Sequence, residues 1–144
     1  MPVTVDEIID YLAEYWPKLD RRFLLRAYEF ADEAHTGQRR KTGDPYIIHP
    51  LQVAQILTEI ESDPFSVAGA FLHDVVEDTD VPIETIEDEF GETVASLVEG
   101  VTKLGKLDFN SREEEQARNL RKMFLAMAQD IRVIVIKLAD RLHN

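Results

Sequence analysis

The sequence predicts an all-α fold, and three observations lead to that prediction. Apolar residues recur at spacings of three and four along most of the 144 residues, as they do on the buried face of a helix. Thr4-x-x-Glu7 and Ser111-x-x-Glu114 are capping boxes, in which a hydroxyl and a carboxylate satisfy free amides at a helix start. Prolines and glycines separate the periodic segments, where helices begin and end.

These signals predict eight helices, at residues 4–16, 21–36, 50–60, 64–78, 82–90, 92–104, 111–128 and 131–144. Pro17 ends the first helix and Gly37 suits the cap after the second. Residues 37–47 and 105–110 are predicted to be loops. The segment 131–136 (IRVIVI) is rich in β-branched residues and alone favours a buried strand. Because no other segment offers it a partner strand, a helix is predicted there.

Length and composition limit the possible functions. A chain of this length fits one domain, predicted to span residues 1–144. The 16 basic and 28 acidic side chains give a net charge of −12, so no nucleic-acid-binding surface is expected. Cysteine is absent, which excludes thiolate chemistry and is compatible with the cytoplasm. No signal peptide, and no apolar stretch long enough to span a membrane, is evident in the sequence.

Four polar residues on the apolar helix 64–78 are the strongest candidates for chemistry. His73, Asp74, Glu77 and Asp78 stand at spacings of one, three and four, so their side chains can reach one region. Burying several carboxylates is costly unless a cation or a polar cavity compensates them. The alternative is a solvated helix end, with Glu77 and Asp78 in water.

Two further residues extend this set to a possible metal site. His49 precedes Pro50 at a helix start, and Asp140 ends the apolar run 135–139. Alone, His49 is more often a cap or a packed core residue, and Asp140 would as readily pair with Arg141. Together with His73 and Asp74 they form a set of N and O donors that suits Mn, Fe, Co or Zn.

A basic run, Arg39-Arg40-Lys41, stands out in this acidic chain. It could bind substrate phosphates, because guanidinium groups match phosphate oxygens. A solvated loop explains the run equally simply, and charge alone favours that alternative.

With these residues in view, the chain resembles the N-terminal hydrolase domain of the long Rel/Spo alarmone enzymes, within the HD phosphohydrolase superfamily. The resemblance covers the chain from about residue 24 to its last residue. It is carried by four blocks in the same order, at residues 40–50 (RKTGDPYIIHP), 71–79 (FLHDVVEDT), 101–106 (VTKLGK) and 136–144 (IKLADRLHN). The resemblance implies a compact, all-α bundle of many helices.

The resemblance also implies a reaction and assigns roles to residues. The reaction is hydrolysis of guanosine 3′,5′-bis(diphosphate), ppGpp, and its pentaphosphate form, pppGpp, releasing the 3′-pyrophosphate to give GDP or GTP. Mn²⁺ is the implied cofactor, although another divalent metal is possible. The implied metal ligands are His49, His73, Asp74 and Asp140. Glu77 and Asp78 would position and activate the attacking water, and Arg40, Lys41 and Asn144 would line the nucleotide pocket.

The family pattern continues beyond the last block with further helices and often a separate synthetase domain. The chain is therefore expected to be truncated at its C-terminal side, with the synthetase domain in the parent protein. Two alternatives stay open: an HD phosphohydrolase of another nucleotide, and a non-catalytic regulatory helical domain. The hydrolase is expected in the cytoplasm, without a nucleic-acid or membrane partner.

Overall fold

A computed structural model describes residues 3–36, 47–104, 117, 120–122 and 130–143. Within them the secondary structure is helical and contains no strand, as the sequence predicts. The helices are α1 (Val5–Tyr15), α2 (Arg21–Ala34), α3 (Ile48–Glu59), α4 (Pro64–Leu72), α5 (Val75–Asp78), α6 (Ile83–Phe90), α7 (Glu92–Leu104) and α8 (Arg132–His143). No helix in this part of the chain is both long and apolar enough to cross a membrane.

The starts of α1 and α4 are capped by side chains. The Thr4 hydroxyl accepts a hydrogen bond from the Glu7 amide at 3.2 Å, which confirms the hydroxyl half of the first capping box. The Glu7 carboxylate accepts from the Thr4 hydroxyl at 3.1 Å instead of from a backbone amide. Asp63 caps α4 by accepting from the amides of Phe65 and Ser66, and Pro64 occupies the first turn. Gly91 follows α6 with a φ of 95°, a conformation that glycine adopts without strain.

The apolar helix α4 lies at the centre of the core. All nine of its residues are buried except Phe65, and it packs against α2, α3, α7 and α8. Gly100 of α7 lets α8 approach closely, because a Cβ at that position would lie 2.7 Å from Val133 Cγ2. Burying these faces is the main stabilising contribution to the fold. The core also holds α8, the helix that carries Asp140, against α3 and α4.

The prediction of a single helix over residues 64–78 is wrong in one respect. The helix is interrupted at His73 and Asp74, and α5 resumes at Val75. His73 Nδ1 donates a hydrogen bond to the Ala70 carbonyl at 2.6 Å. Such a side-chain bond competes for a carbonyl that would otherwise accept from a backbone amide in the next turn. The interruption falls at the pair of residues predicted to carry chemistry.

The segment 131–136, whose composition favours a strand, lies in the region of helix α8. This confirms the helix predicted there because no other segment offered a partner strand. Its β-branched residues Val133, Ile134 and Ile136 are buried in the core. Burial against α3 and α7 overrides the modest β-propensity of these residues. The predicted loops at 37–47 and 105–110 and the predicted helix at 111–128 lie wholly or largely outside the described residues.

Candidate metal centre

Four predicted ligand residues come from three separate parts of the fold. His49 is the second residue of α3, His73 and Asp74 form the junction between α4 and α5, and Asp140 lies on α8. The packing of α3, α4 and α8 brings these positions together. One donor atom from each of the four side chains lies within 4.8 Å of all the others.

The four side chains form a chain of direct contacts, in which both imidazoles meet one oxygen of Asp140 and Asp74 contacts His73. Asp140 Oδ1 lies 2.6 Å from His49 Nε2 and 3.2 Å from His73 Nε2. Asp74 Oδ2 lies 3.2 Å from His73 Nε2. His49 is 3 % exposed, His73 2 % and Asp140 8 %, so these contacts are shielded from water. Two imidazoles and two carboxylates therefore converge on one small, buried volume.

The orientation of His73 is set by the helix backbone. Because a carbonyl oxygen can only accept, the 2.6 Å contact with Ala70 requires a proton on His73 Nδ1. His73 Nε2 then faces the two carboxylates and can hold either a proton or a metal. A histidine that donates its other ring N–H to a backbone carbonyl is the usual arrangement for a metal ligand.

The electrostatics of the cluster call for a positive charge between its members. Burial opposes the charged form of His73, but Asp74 and Asp140 outweigh burial and raise the pKa of His73 to about 10. Burial also opposes ionisation of Asp74, yet contact with His73 leaves its pKa lowered. The pKa of Asp140 is likewise lowered by His49 and His73 against burial. A divalent cation supplies the same compensation, so the cluster could hold a metal.

Glu77 and Asp78 lie beside this cluster rather than in it. Both are exposed residues of α5, as the solvated alternative predicts, and neither is among the four clustered donors. Partial burial, Asp74 and Asp78 together raise the pKa of Glu77. Glu77 therefore binds a proton more readily than an ordinary glutamate, at the edge of the cluster.

Comparison with known families agrees with this geometry. A family profile described as an HD domain matches residues 27–144. The chain belongs to the HD domain family. The match includes α3, α4, α5 and α8, so every residue of the four-residue cluster lies within the HD domain.

Relatives of this HD domain include two long bacterial proteins. One, from Synechocystis sp., is named a probable guanosine-3′,5′-bis(diphosphate) 3′-pyrophosphohydrolase; it is 62 % identical over 84 % of this chain and 16 % of its own length. The other, from Aquifex aeolicus, is named guanosine-3′,5′-bis(diphosphate) 3′-pyrophosphohydrolase; it is 51 % identical over 99 % of this chain and 20 % of its own length. The HD domain thus spans about a fifth of these relatives or less.

A solved structure shares the fold. It is described as a metazoan ortholog of SpoT that hydrolyses ppGpp and plays a role in starvation responses. It superposes with a TM-score of 0.63 and 32 % sequence identity, over 83 % of this chain and 66 % of the solved one.

An open cavity of about 710 Å³ lies at the end of α5, on the side of Glu77 and Asp78. Its wall is formed by the end of α5, the turn that follows it, one residue of α6 and one residue of α2: Ala34, Glu77, Asp78, Thr79, Asp80, Val81, Pro82 and Thr85. A solute in this cavity can therefore reach Glu77 and Asp78 of the HD domain.

Sequence reasoning missed Lys137, which also contacts the cluster. Its Nζ donates to Asp140 Oδ2 at 3.3 Å. The signal available in the sequence was its position one helical turn before Asp140. By contrast, Arg40, Lys41 and Asn144 lie outside the described residues, so their place in a nucleotide pocket stays a prediction.

Proposed function

We propose that this HD domain hydrolyses ppGpp and pppGpp, releasing the 3′-pyrophosphate and leaving GDP or GTP. The observation that carries the proposal is the convergence of His49, His73, Asp74 and Asp140 within 4.8 Å. The names of the two bacterial relatives, and the description of the solved metazoan protein, support this substrate.

In this proposal His49, His73, Asp74 and Asp140 hold a divalent metal, and Mn²⁺ is the proposed ion. A metal held there would supply positive charge near the phosphoryl group under attack and would promote ionisation of water. The two imidazoles would hold it as neutral ligands. The Ala70 carbonyl keeps the His73 ring oriented with Nε2 toward the two carboxylates.

The carboxylates of α5 act on the water that attacks phosphorus. Glu77 accepts a proton from this water, because its raised pKa makes it a better base than a fully solvated glutamate. Asp78, the next residue, orients the water. As the new P–O bond forms at the α-phosphorus of the 3′-diphosphate, the bond between that phosphorus and the 3′-oxygen breaks, and the 3′-oxygen leaves with a proton taken from solvent.

The remaining parts of the proposal concern the substrate and the parent protein. Arg40, Lys41 and Asn144 bind the nucleotide. No nucleic acid or membrane is proposed as a partner of this domain. A synthetase activity, where the parent protein has one, belongs to a separate domain. The absence of cysteine is compatible with the cytoplasm as the proposed location.

The direct test is release of pyrophosphate from ppGpp by this chain, with and without Mn²⁺. Asp74→Asn removes a ligand charge while keeping the side-chain volume, and we expect it to lower kcat at least about a hundredfold. Asp88→Asn is a matched control, because Asp88 is an exposed residue of α6. Far-UV circular dichroism checks that both variants fold.

The possible results have distinct meanings. Release that needs Mn²⁺ and Asp74 but not Asp88 supports the proposal. Release of a different product, or only from another nucleotide in a substrate panel, contradicts the proposed substrate. If the folded protein binds Mn²⁺ and turns over no nucleotide, catalysis by this chain is contradicted.

A further inference from the structure

Lys137 is a partly buried lysine beside the candidate metal centre. Its side chain is 20 % exposed, and its ammonium contacts Asp140 Oδ2, whereas Asp140 Oδ1 faces His49 and His73. Its charge also acts on Glu77, where it opposes the rise of the pKa. Lys137 therefore lies on the side of Asp140 from which its field reaches the exposed carboxylates.

A fixed positive charge next to a cation site works against binding of the cation, because like charges repel most strongly where water is excluded. Lys137 must therefore contribute to such a site through an interaction other than one with the cation. The site contains four carboxylates, on Asp74, Glu77, Asp78 and Asp140. An anionic phosphate substrate entering beside them needs a compensating positive charge.

The geometry of the Lys137 contact leaves the ammonium available. Its 3.3 Å distance to Asp140 is longer than the roughly 2.7–2.9 Å of a strong charged hydrogen bond. A lysine stem has several rotatable bonds, so the ammonium can move by a few ångströms without displacing α8. Its partial exposure gives a solute access to it.

We propose that Lys137 is a phosphate-binding residue of this site, whose ammonium pairs with an oxygen of the substrate's 3′-diphosphate. This inference rests on the proposed function for the identity of the substrate. The competing explanation is that Lys137 only holds the Asp140 carboxylate in place.

The two explanations predict opposite effects on metal binding. If Lys137 only orients Asp140, Lys137→Met weakens binding of Mn²⁺, since losing the partner of a ligand commonly costs about tenfold or more in metal affinity. If Lys137 binds phosphate, the same substitution leaves the affinity for Mn²⁺ unchanged or raises it, because a positive charge that repels the cation has been removed.

The experiment measures two affinities in the full chain. Electron paramagnetic resonance titration gives the affinity for Mn²⁺, and calorimetry gives the affinity of the Mn²⁺-loaded protein for inorganic pyrophosphate. For Lys137→Met we expect unchanged or tighter Mn²⁺ binding, with pyrophosphate binding weakened about tenfold or more. Lys137→Arg retains the charge and is expected to keep pyrophosphate affinity within about threefold.

Lys103→Met is the matched control. Lys103 also pairs with a carboxylate one helical turn away, Glu99 at 3.2 Å, but its side chain is 75 % exposed on α7. Neither affinity should change in this variant.

Weaker Mn²⁺ binding by Lys137→Met overturns the inference in favour of the orienting role. Unchanged pyrophosphate binding by Lys137→Met, or no pyrophosphate binding by the loaded wild type, overturns it as well. Failure of the proposed function has a different signature. In that case pyrophosphate binds through Lys137, but the wild type releases no pyrophosphate from ppGpp.

Discussion

At the scale of single residues, His73 illustrates how one side chain connects helix geometry with chemistry. Its Nδ1 bond to Ala70 interrupts the central helix, and the same bond leaves Nε2 facing Asp74 and Asp140. The local irregularity and the ligand orientation therefore have one cause. A change of His73 to glutamine would remove both, so its effect on activity could not be assigned to ligation alone.

Tyr15 is a second residue whose environment leads to a prediction. Its hydroxyl donates to the Ser62 carbonyl at 2.7 Å and joins the end of α1 to the turn before α4. Burial, followed by the charge of Glu61, raises the pKa of Tyr15 from 10.0 to about 12. A raised pKa means that folding favours the protonated form, so this contribution to stability is complete below pH 10 and is lost between pH 10 and 12.

We expect Tyr15→Phe to lower the free energy of unfolding by about 1 kcal/mol at pH 8, because one hydrogen bond is lost. The difference between the variant and the wild type should shrink as the pH rises from 10 to 12. Urea unfolding at pH 8, 10 and 11.5 measures this difference. A constant difference across this range would contradict the assigned role.

At the scale of helices, Asp63 has two functions at the start of α4. Its side chain caps the helix through the amides of Phe65 and Ser66. Its Oδ2 also accepts a hydrogen bond at 3.1 Å from Arg132, at the start of α8. This pair connects the first turn of the helix that leads to His73 with the first turn of the helix that carries Asp140.

We predict that Asp63→Ala destabilises the protein by about 1–2 kcal/mol, through loss of the cap and of the partly exposed ion pair. Asp63→Asn keeps a capping side chain and loses the charge, so it should cost less than about 1 kcal/mol. Asp20→Ala is the matched control, because Asp20 caps α2 through the Phe23 amide. Denaturant titration at low and high salt separates the terms, since screening of the charged caps affects both aspartates, whereas only Asp63 also loses an ion pair.

If Asp63→Ala and Asp20→Ala cost the same at low salt, the pair with Arg132 contributes nothing measurable. The salt dependence then provides a second check. The difference between the Asp63→Ala cost and the Asp20→Ala cost should shrink in high salt, because the ion pair is then screened.

At the scale of the whole molecule, local sequence signals predict most of the helices and few of the contacts between them. Thr4 and Asp63 mark helix starts through bonds to residues two or three positions away, so their roles can be inferred from spacing alone. The interruption at His73 cannot, because it depends on which ring nitrogen faces the site. The partial burial of Lys137 and the Asp63–Arg132 pair depend on how α4, α5 and α8 pack.

Two kinds of information predicted the candidate site. One links residues that are close in the sequence, and the other links residues that are far apart. Helical spacing connects His73 with Asp74, Glu77 and Asp78. No local pattern connects His49 with Asp140, whose contact spans 91 residues. Donor chemistry grouped the two residues as candidates, the resemblance assigned both as ligands, and the packing of α3 on α8 provides the physical basis of their contact.

Because His49 and Asp140 are far apart in the sequence, a metal bound by both is expected to stabilise the whole fold. Its ligands join α3, the junction of α4 and α5, and α8, and they are not together in the unfolded chain. Mn²⁺ at a hundred times its Kd should therefore add about 2.7 kcal/mol to the free energy of unfolding. For a chain of this size, that corresponds to a rise in Tm of about 8–10 °C.

The pH dependence of this stabilisation has a definite sign. In the metal-free protein the pKa of His73 is raised from 6.5 to about 10, so the charged imidazole stabilises the fold fully below pH 6.5 and is lost as the pH approaches 10. A metal must displace this proton, so its affinity should increase by up to about tenfold per pH unit in that window. The rise in Tm at fixed Mn²⁺ should therefore be larger at pH 8 than at pH 6.5.

Differential scanning calorimetry at the two pH values measures the effect, and titration in buffers of different ionisation enthalpy counts the protons released. Asp74→Asn should reduce the rise in Tm, and Asp88→Asn should leave it unchanged. A rise in Tm that is equal at both pH values, without proton release, would mean that Mn²⁺ binds elsewhere on this acidic chain. Loss of the rise in Asp74→Asn, together with release of about one proton in the wild type, would identify the displaced proton with the buried cluster.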